Sequence, residues 1–153
     1  MIRAWRIVKA KHAANAFDGE GARLSGGRWN SPGTRMIYTA GSAALAALEM
    51  LVHLGRITTL PAYVVLRCDF DEKLVTDVDR DKLPSNWRTF PAPPELQAIG
   101  DAWVQGGKSP VLRVPSAVIA GEDNYLLNPA HPTFRRIKIG RPERFELDLR
   151  RIR

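Results

Sequence analysis

The sequence predicts an α+β fold, a single domain with a curved mixed sheet, and three observations carry that prediction. Strand-like runs outnumber helical ones along the chain, and glycine- and proline-rich breaks separate them. Of the 153 residues, 44% are hydrophobic, enough for one sizeable core. A globular domain runs to about 100–200 residues, so 1–153 reads as one unit. No repeat or low-complexity linker marks a boundary inside it.

Taken in order, Ile2 to Val8 is a short apolar–basic strand. Gly19 to Gly33 reads as a loop, because five glycines and Pro32 fall within it. Met36 to Ala40 follows as a strand. Ser42 to Leu54 is the clearest helix: Ser42 can cap its start, alanine and leucine fill it, and Gly55 suits the position past its end. That helix is apolar almost all round, which predicts burial. Tyr63 to Phe70 is a β-branched and aromatic run, hence a buried strand. Asp69 to Asp81, with six acids and two bases, reads as a solvated turn region. Pro84 to Pro94 is loop, and Glu95 to Gln105 a short helix before Gly106-Gly107. Val111 to Ile119 has strand composition broken by Pro115. The stretch with Asn124, Leu126, Leu127, Asn128 and Pro129 reads as turn-rich, and Phe145 to Leu149 alternates as a half-buried strand.

Composition narrows the function classes. The chain carries 23 basic and 16 acidic residues, a formal charge of +7. From Arg135 onward eight basic residues face three acids, so most of the excess lies in the last 19 residues. Such a segment attracts nucleic acid, a phosphorylated ligand or an acidic partner. Only Phe134 and Phe145 add aromatic character there, which gives little stacking surface for single strands. A single cysteine, Cys68, in an apolar run predicts a reducing, cytoplasmic setting. No apolar stretch approaches the roughly 20 residues that span a bilayer, and Met1 to Ala14 lacks a secretion signal's apolar core.

Several familiar chemistries fail on spacing. His12, His53 and His131 are scattered and Cys68 has no cysteine partner, so no metal site is predicted. Gly106-Gly107-Lys108-Ser109 imitates a phosphate loop, but Ala102 stands where its first glycine belongs and Pro110 follows where a helix should open. Ser116 follows Pro115 with no glycine elbow around it. Two features remain. Glu49 is the sole acid of the Ser42–Leu54 helix: either it is buried and functional, or it forms an exposed pair with His53 one turn on. Arg28, in Gly26-Gly27-Arg28-Trp29-Asn30-Ser31-Pro32-Gly33, offers a guanidinium fork where backbone can approach a phosphate or carboxylate, or else it is a surface residue.

In order along the chain, Trp5-Arg6, Gly26-Gly27-Arg28-Trp29-Asn30 with Gly33, Tyr38-Thr39-Ala40, Ala47-Leu48-Glu49 and Val114-Pro115-Ser116 form an ordered set. It continues in Asn124-Tyr125-Leu126-Leu127-Asn128-Pro129 with His131-Pro132, and closes in Phe145-Glu146-Leu147-Asp148-Leu149-Arg150. This set resembles the RES-domain family, the toxin half of RES–Xre type II toxin–antitoxin pairs in bacteria. Residues 75–105 carry no matching motif. The resemblance implies an ADP-ribosyltransferase-like fold holding NAD in a cleft, with no metal. It implies a polar set at Arg28, Tyr38 and Glu49, with Ser116 near the same cleft and Asn30 as a lesser ligand-orienting residue. It also implies a cognate Xre-type helix-turn-helix antitoxin in a hetero-oligomeric complex, which would be the only route to DNA.

On that resemblance the expected reaction is cleavage of the nicotinamide–ribose bond of NAD. Glu49 would stabilise positive charge growing on the ribose, and Arg28 would fix the diphosphate. Tyr38 would present its ring to nicotinamide or adenine, and Ser116 would orient the amide or the nucleophile. Water, phosphate or a protein would serve as acceptor, giving NAD degradation or, alternatively, ADP-ribosylation. A basic nucleic-acid-binding or RNA-cleaving module is the competing class, although no helix-turn-helix, zinc finger or catalytic histidine pair supports it. A non-enzymatic partner of an antitoxin is a third reading, against which Arg28, Tyr38 and Glu49 stand together.

Overall fold

A computed structural model describes residues 1–54 and 62–147. The first strand, β1 (Ile2–Lys9), leads through a short turn of 3-10 helix to α1 (Glu20–Ser25), then β2 (Ile37–Ala40) and α2 (Ala43–Leu54). There follow β3 (Tyr63–Phe70), β4 (Val75–Asp77), α3 (Pro94–Gly106), β5 (Val111–Pro115), β6 (Asp123–Leu127), β7 (Lys138–Ile139) and β8 (Glu143–Phe145). One sheet joins the strands in the order β4-β5-β6-β2-β1-β3-β7, with β8 also on the outer edge of β3. All pairings are antiparallel except β4 with β5, so the sheet is mixed and curls into a half-barrel, as the α+β prediction requires.

Strand alternation gives the sheet two apolar faces. Val111 and Leu127 join Ala4, Ile37, Cys68 and Phe70 on one side. Their neighbours Leu112, Val114 and Leu126 join Trp29, Met36 and Leu96 on the other. Burial holds the Cys68 thiol up at about 12, so it packs as a small apolar group.

The helices sit where their ends predict. The Ser42 hydroxyl accepts the Leu45 N–H at 3.0 Å, the capping bond read from sequence; Gly55 lies outside the described residues. Pro94 opens α3, where a missing N–H costs nothing. The Gly106–Ser109 stretch is the turn from α3 into β5 rather than a phosphate loop.

Five expectations need correction. The glycine-rich segment holds a helix, α1, bracketed by Gly19 and Gly26 at φ 74° and 72°, where the two glycines allow sharp entry and exit. The acidic turn region contains β4, which gains its identity from pairing with β5. The turn-rich stretch contains β6, an interior strand between β2 and β5 with Tyr125, Leu126 and Leu127 buried; the Asx turn begins after it, where the Asn128 side chain accepts the Ala130 N–H at 3.0 Å. Helix α2 is not buried all round: Leu45 is buried, whereas Ala44, Leu48 and Val52, four apart, lie exposed as an apolar stripe. Strand β5 ends at Pro115, the break read from sequence, whereas β8 covers Glu143–Phe145, earlier than the Phe145–Leu149 alternation predicts. Residues 148–153, with Arg150, Arg151 and Arg153 of the basic segment, lie outside the described residues.

Candidate active site

The curled sheet leaves a cleft of about 830 Å³ between β1, β2, α2, the 26–33 loop and Phe90. That volume lies within the roughly 300–1,000 Å³ of small-molecule sites. Arg28, Tyr38 and Glu49 all line it, although 21 residues separate the first from the last. Strand β2 carries Tyr38, and the turn after it feeds α2, which places Glu49 two helical turns into the cleft wall.

Glu49 is half-buried, and burial pushes its carboxyl above the ordinary glutamate range. The nearby side chains of Asn124 and Ser116, with the charges of His53 and Arg28, oppose that shift without cancelling it. The Ser116 hydroxyl donates to Glu49 Oε1 at 3.1 Å and accepts the N–H groups of Val118 (3.1 Å) and Ile119 (3.2 Å). A hydroxyl has one proton and two lone pairs, so Ser116 has nothing left to offer a ligand. It is 1% exposed and does not line the cleft.

Arg28 extends toward the unmatched loop. Its Nη1 donates to the Trp87 carbonyl at 2.8 Å, its Nη2 to that of Thr89 at 3.0 Å, and its Cζ lies 4.3 Å from the Phe90 ring centre. Two of five N–H groups are thereby used, leaving three for an anion. Partial burial lowers its pKa below the usual arginine value, but the group stays charged near neutrality.

Tyr38 presents its ring rather than its hydroxyl. The hydroxyl donates to Asn30 Oδ1 at 2.6 Å and accepts the Trp29 N–H at 2.9 Å. Burial drives the phenol pKa strongly upward, so it stays neutral. Asn30 is fully buried; its amide donates to the carbonyls of Ala22 (2.8 Å), Thr34 (3.1 Å) and Ser31 (3.2 Å). The direct ligand contact expected of Asn30 and Ser116 therefore finds no opening onto the cleft: Asn30 fastens the Arg28 loop, and Ser116 fastens Glu49. Replacing Asn30 by alanine takes the side-chain donor from the Thr34 carbonyl and the acceptor from the Tyr38 hydroxyl, while the Ala22 and Ser31 carbonyls keep the N–H groups of Gly26 and Thr34. Thermal unfolding should show a loss of about 2–3 kcal/mol.

Three cleft residues were given no role from sequence. Arg6, on β1, lines the cleft; its Nε donates to the Ala16 carbonyl at 2.7 Å and its Nη1 to that of Tyr38 at 3.0 Å. It has no carboxylate hydrogen-bond partner among the described residues, and burial lowers its pKa. The charge of Asp18, which also lines the cleft, opposes that shift without an ion-pair contact, so the Arg6 cation remains open to an anion. Asn124 on β6 donates to the Thr39 carbonyl at 3.3 Å and lies beside Glu49. Phe90 is exposed at the rim. Arg6 and Asn124 stood in matching motifs, the one available hint; Phe90 lay where no motif did. Among the described residues, no group of three or more His, Cys, Asp or Glu is placed to hold a metal ion.

Comparison with known proteins identifies relatives of the whole chain. The RES domain family model matches residues 3–148. A toxin named Res from Yersinia enterocolitica is 38% identical over 130 residues, 85% of this chain and 86% of its own. A Sphingobium protein named Prs ADP-ribosylating toxin is 33% identical over 154 residues, 97% of this chain and 96% of its own. In the crystal structure of the M. tuberculosis MbcT–MbcA toxin–antitoxin complex, a chain superposes with a TM-score of 0.78 at 22% identity. That match covers 94% of this chain and 84% of the other. The two chains therefore share one fold. The chain belongs to the RES-domain family of toxins.

Proposed function

We propose that this chain is the toxin of a toxin–antitoxin pair and that it cleaves the nicotinamide–ribose bond of NAD, depleting it by hydrolysis or phosphorolysis and so arresting growth. The observation that carries this reading is the convergence of Glu49, Arg28 and the Tyr38 ring on one cleft of about 830 Å³. Cleavage passes through an oxocarbenium-like state with positive charge on the ribose. A carboxylate fixed on a helix and partly withdrawn from water stabilises that charge strongly. Arg28 and Arg6 supply two cations for the diphosphate, and Arg28 reaches it with its three free N–H groups. Ser116 holds Glu49 in place with Asn124 beside it, and the Tyr38 ring packs against a planar base.

The partner in this reading is an Xre-type helix-turn-helix antitoxin in a hetero-oligomeric complex, with DNA reached only through it. The basic residues from Arg135 onward suit an acidic face of that antitoxin. One unit spanning 1–153 carries the activity, and it works in the cytoplasm, where NAD is found. No described helix is long and apolar enough to cross a membrane.

A second acceptor has support of its own. The Sphingobium relative is named an ADP-ribosylating toxin, so transfer of ADP-ribose to a protein is the alternative outcome of the same cleavage. Identifying the products of the purified protein separates the outcomes. ADP-ribose alone means water, its phosphorylated form means phosphate, and label from adenine-labelled NAD on a polypeptide means transfer. The expected result is a small-molecule product; label confined to protein overturns the degradation reading.

A further inference from the structure

The loop between β4 and α3 lies outside every recognised motif, yet it delivers an exposed aromatic ring to the cleft. Phe90 is 51% exposed and lines the cavity rim. A large apolar side chain so exposed is held there by two contacts. The Arg28 guanidinium lies over one face of the ring at 4.3 Å, and the same guanidinium bonds the Trp87 and Thr89 carbonyls just before it. The His53 ring meets Phe90 at 6.2 Å and 70°, edge to face. His53 stands one helical turn after Glu49 on α2, so the two share a helix face. The Phe90 ring is thus pinned against the side chain that stands one turn from Glu49, and it lines the cleft while half exposed.

We propose that Phe90 is the stacking wall for the nicotinamide ring of the dinucleotide, a positioning residue for the leaving group. This rests on the NAD reading above and adds a determinant to it. Three features favour nicotinamide over adenine. Phe90 neighbours Arg28 and His53, and His53 lies beside Glu49, which in that reading works at the nicotinamide-bearing ribose. Nicotinamide in NAD is a cationic pyridinium, which an aromatic face attracts. The ring sits at the mouth of the cleft, where a leaving group must exit.

The charge argument fixes the kinetic consequence. The pyridinium loses its positive charge as the bond breaks, so the wall holds bound substrate at least as tightly as the transition state. Such an interaction lowers KM and leaves kcat largely alone. Phe90→Leu, which keeps apolar bulk without the π face, and Phe90→Ala should each raise KM for NAD about ten-fold, the scale of one lost stack. Phe90→Trp should restore it. ADP-ribose, which lacks nicotinamide, should bind wild type and both variants with the same Kd by calorimetry. An unchanged KM in Phe90→Leu, or an ADP-ribose Kd that weakens in step with KM, overturns the wall while leaving NAD cleavage standing. A wild-type protein that neither releases nicotinamide nor binds ADP-ribose overturns both together.

Discussion

Glu49→Gln should lower the rate of nicotinamide release by about a hundred- to a thousand-fold, the scale of removing one preorganised charge from a transition state. The same substitution should make the fold more stable at neutral pH. Burial raises the Glu49 carboxyl above its ordinary range, so its charged form is disfavoured in the folded state. The sign follows directly. Protonated Glu49 favours the folded chain; that contribution is complete below the ordinary carboxyl pKa and disappears as pH rises through the higher folded value. At pH 7 wild type therefore carries the cost of an ionised, half-buried carboxylate, and glutamine removes it while still accepting the Ser116 proton. The stability advantage of Glu49→Gln, followed by thermal unfolding, should shrink as the pH falls through the raised Glu49 value and level off below the ordinary carboxyl pKa. The kcat/KM of wild type should fall on acidification with a midpoint above that of an ordinary glutamate, because it reports the free protein. A variant that is both inactive and unstable at pH 7 would point to a structural role instead.

Gly100→Ala should produce the largest loss of stability from one added methyl group. Helix α3 crosses the 26–33 loop so closely that a Cβ at position 100 would stand 1.6 Å from the Trp29 carbonyl oxygen. Neither partner can yield cheaply, because one is helix backbone and the other belongs to the loop that Asn30 fastens. Overpacking of this kind costs about 3 kcal/mol or more. For a chain of this size that is a fall in Tm of roughly 10 °C. The displaced loop carries Arg28, so activity measured well below the new Tm should also drop. Gly106→Ala, at the end of the same helix, meets no atom within 4 Å and should leave both properties unchanged.

These contrasts show what could be read in advance and what could not. Strand β3 was legible from its own residues, because Tyr63 to Phe70 is apolar, β-branched and long enough to announce itself. Helix α2 was legible from Ser42, whose hydroxyl makes the expected capping bond. Strands β4 and β6 were not: three residues in an acidic stretch, and five between turn-formers, become strands by pairing with β5 and β2. The exposed Ala44, Leu48 and Val52 stripe was hidden for a related reason, since an all-apolar helix does not say which side meets the sheet. In the site, Arg28, Tyr38 and Glu49 came from motifs, and the cleft brings them together. Ser116 and Asn30 came from the same motifs, but a residue holding a ligand and one holding its neighbour leave the same trace in sequence. Arg6 and Phe90 reach the cleft through long-range contacts, two distant backbone carbonyls for Arg6 and the Arg28 and His53 side chains for Phe90, which no local pattern encodes.

The most direct measurement is nicotinamide release from NAD by the purified protein, run beside Glu49→Gln with ADP-ribose binding recorded for both. Release by wild type, its loss in Glu49→Gln and equal ADP-ribose affinity in the two are the predicted results. Equal release by both proteins, or none by a folded wild type with water, phosphate and cell protein each offered as acceptor, would contradict the assignment of this cleft.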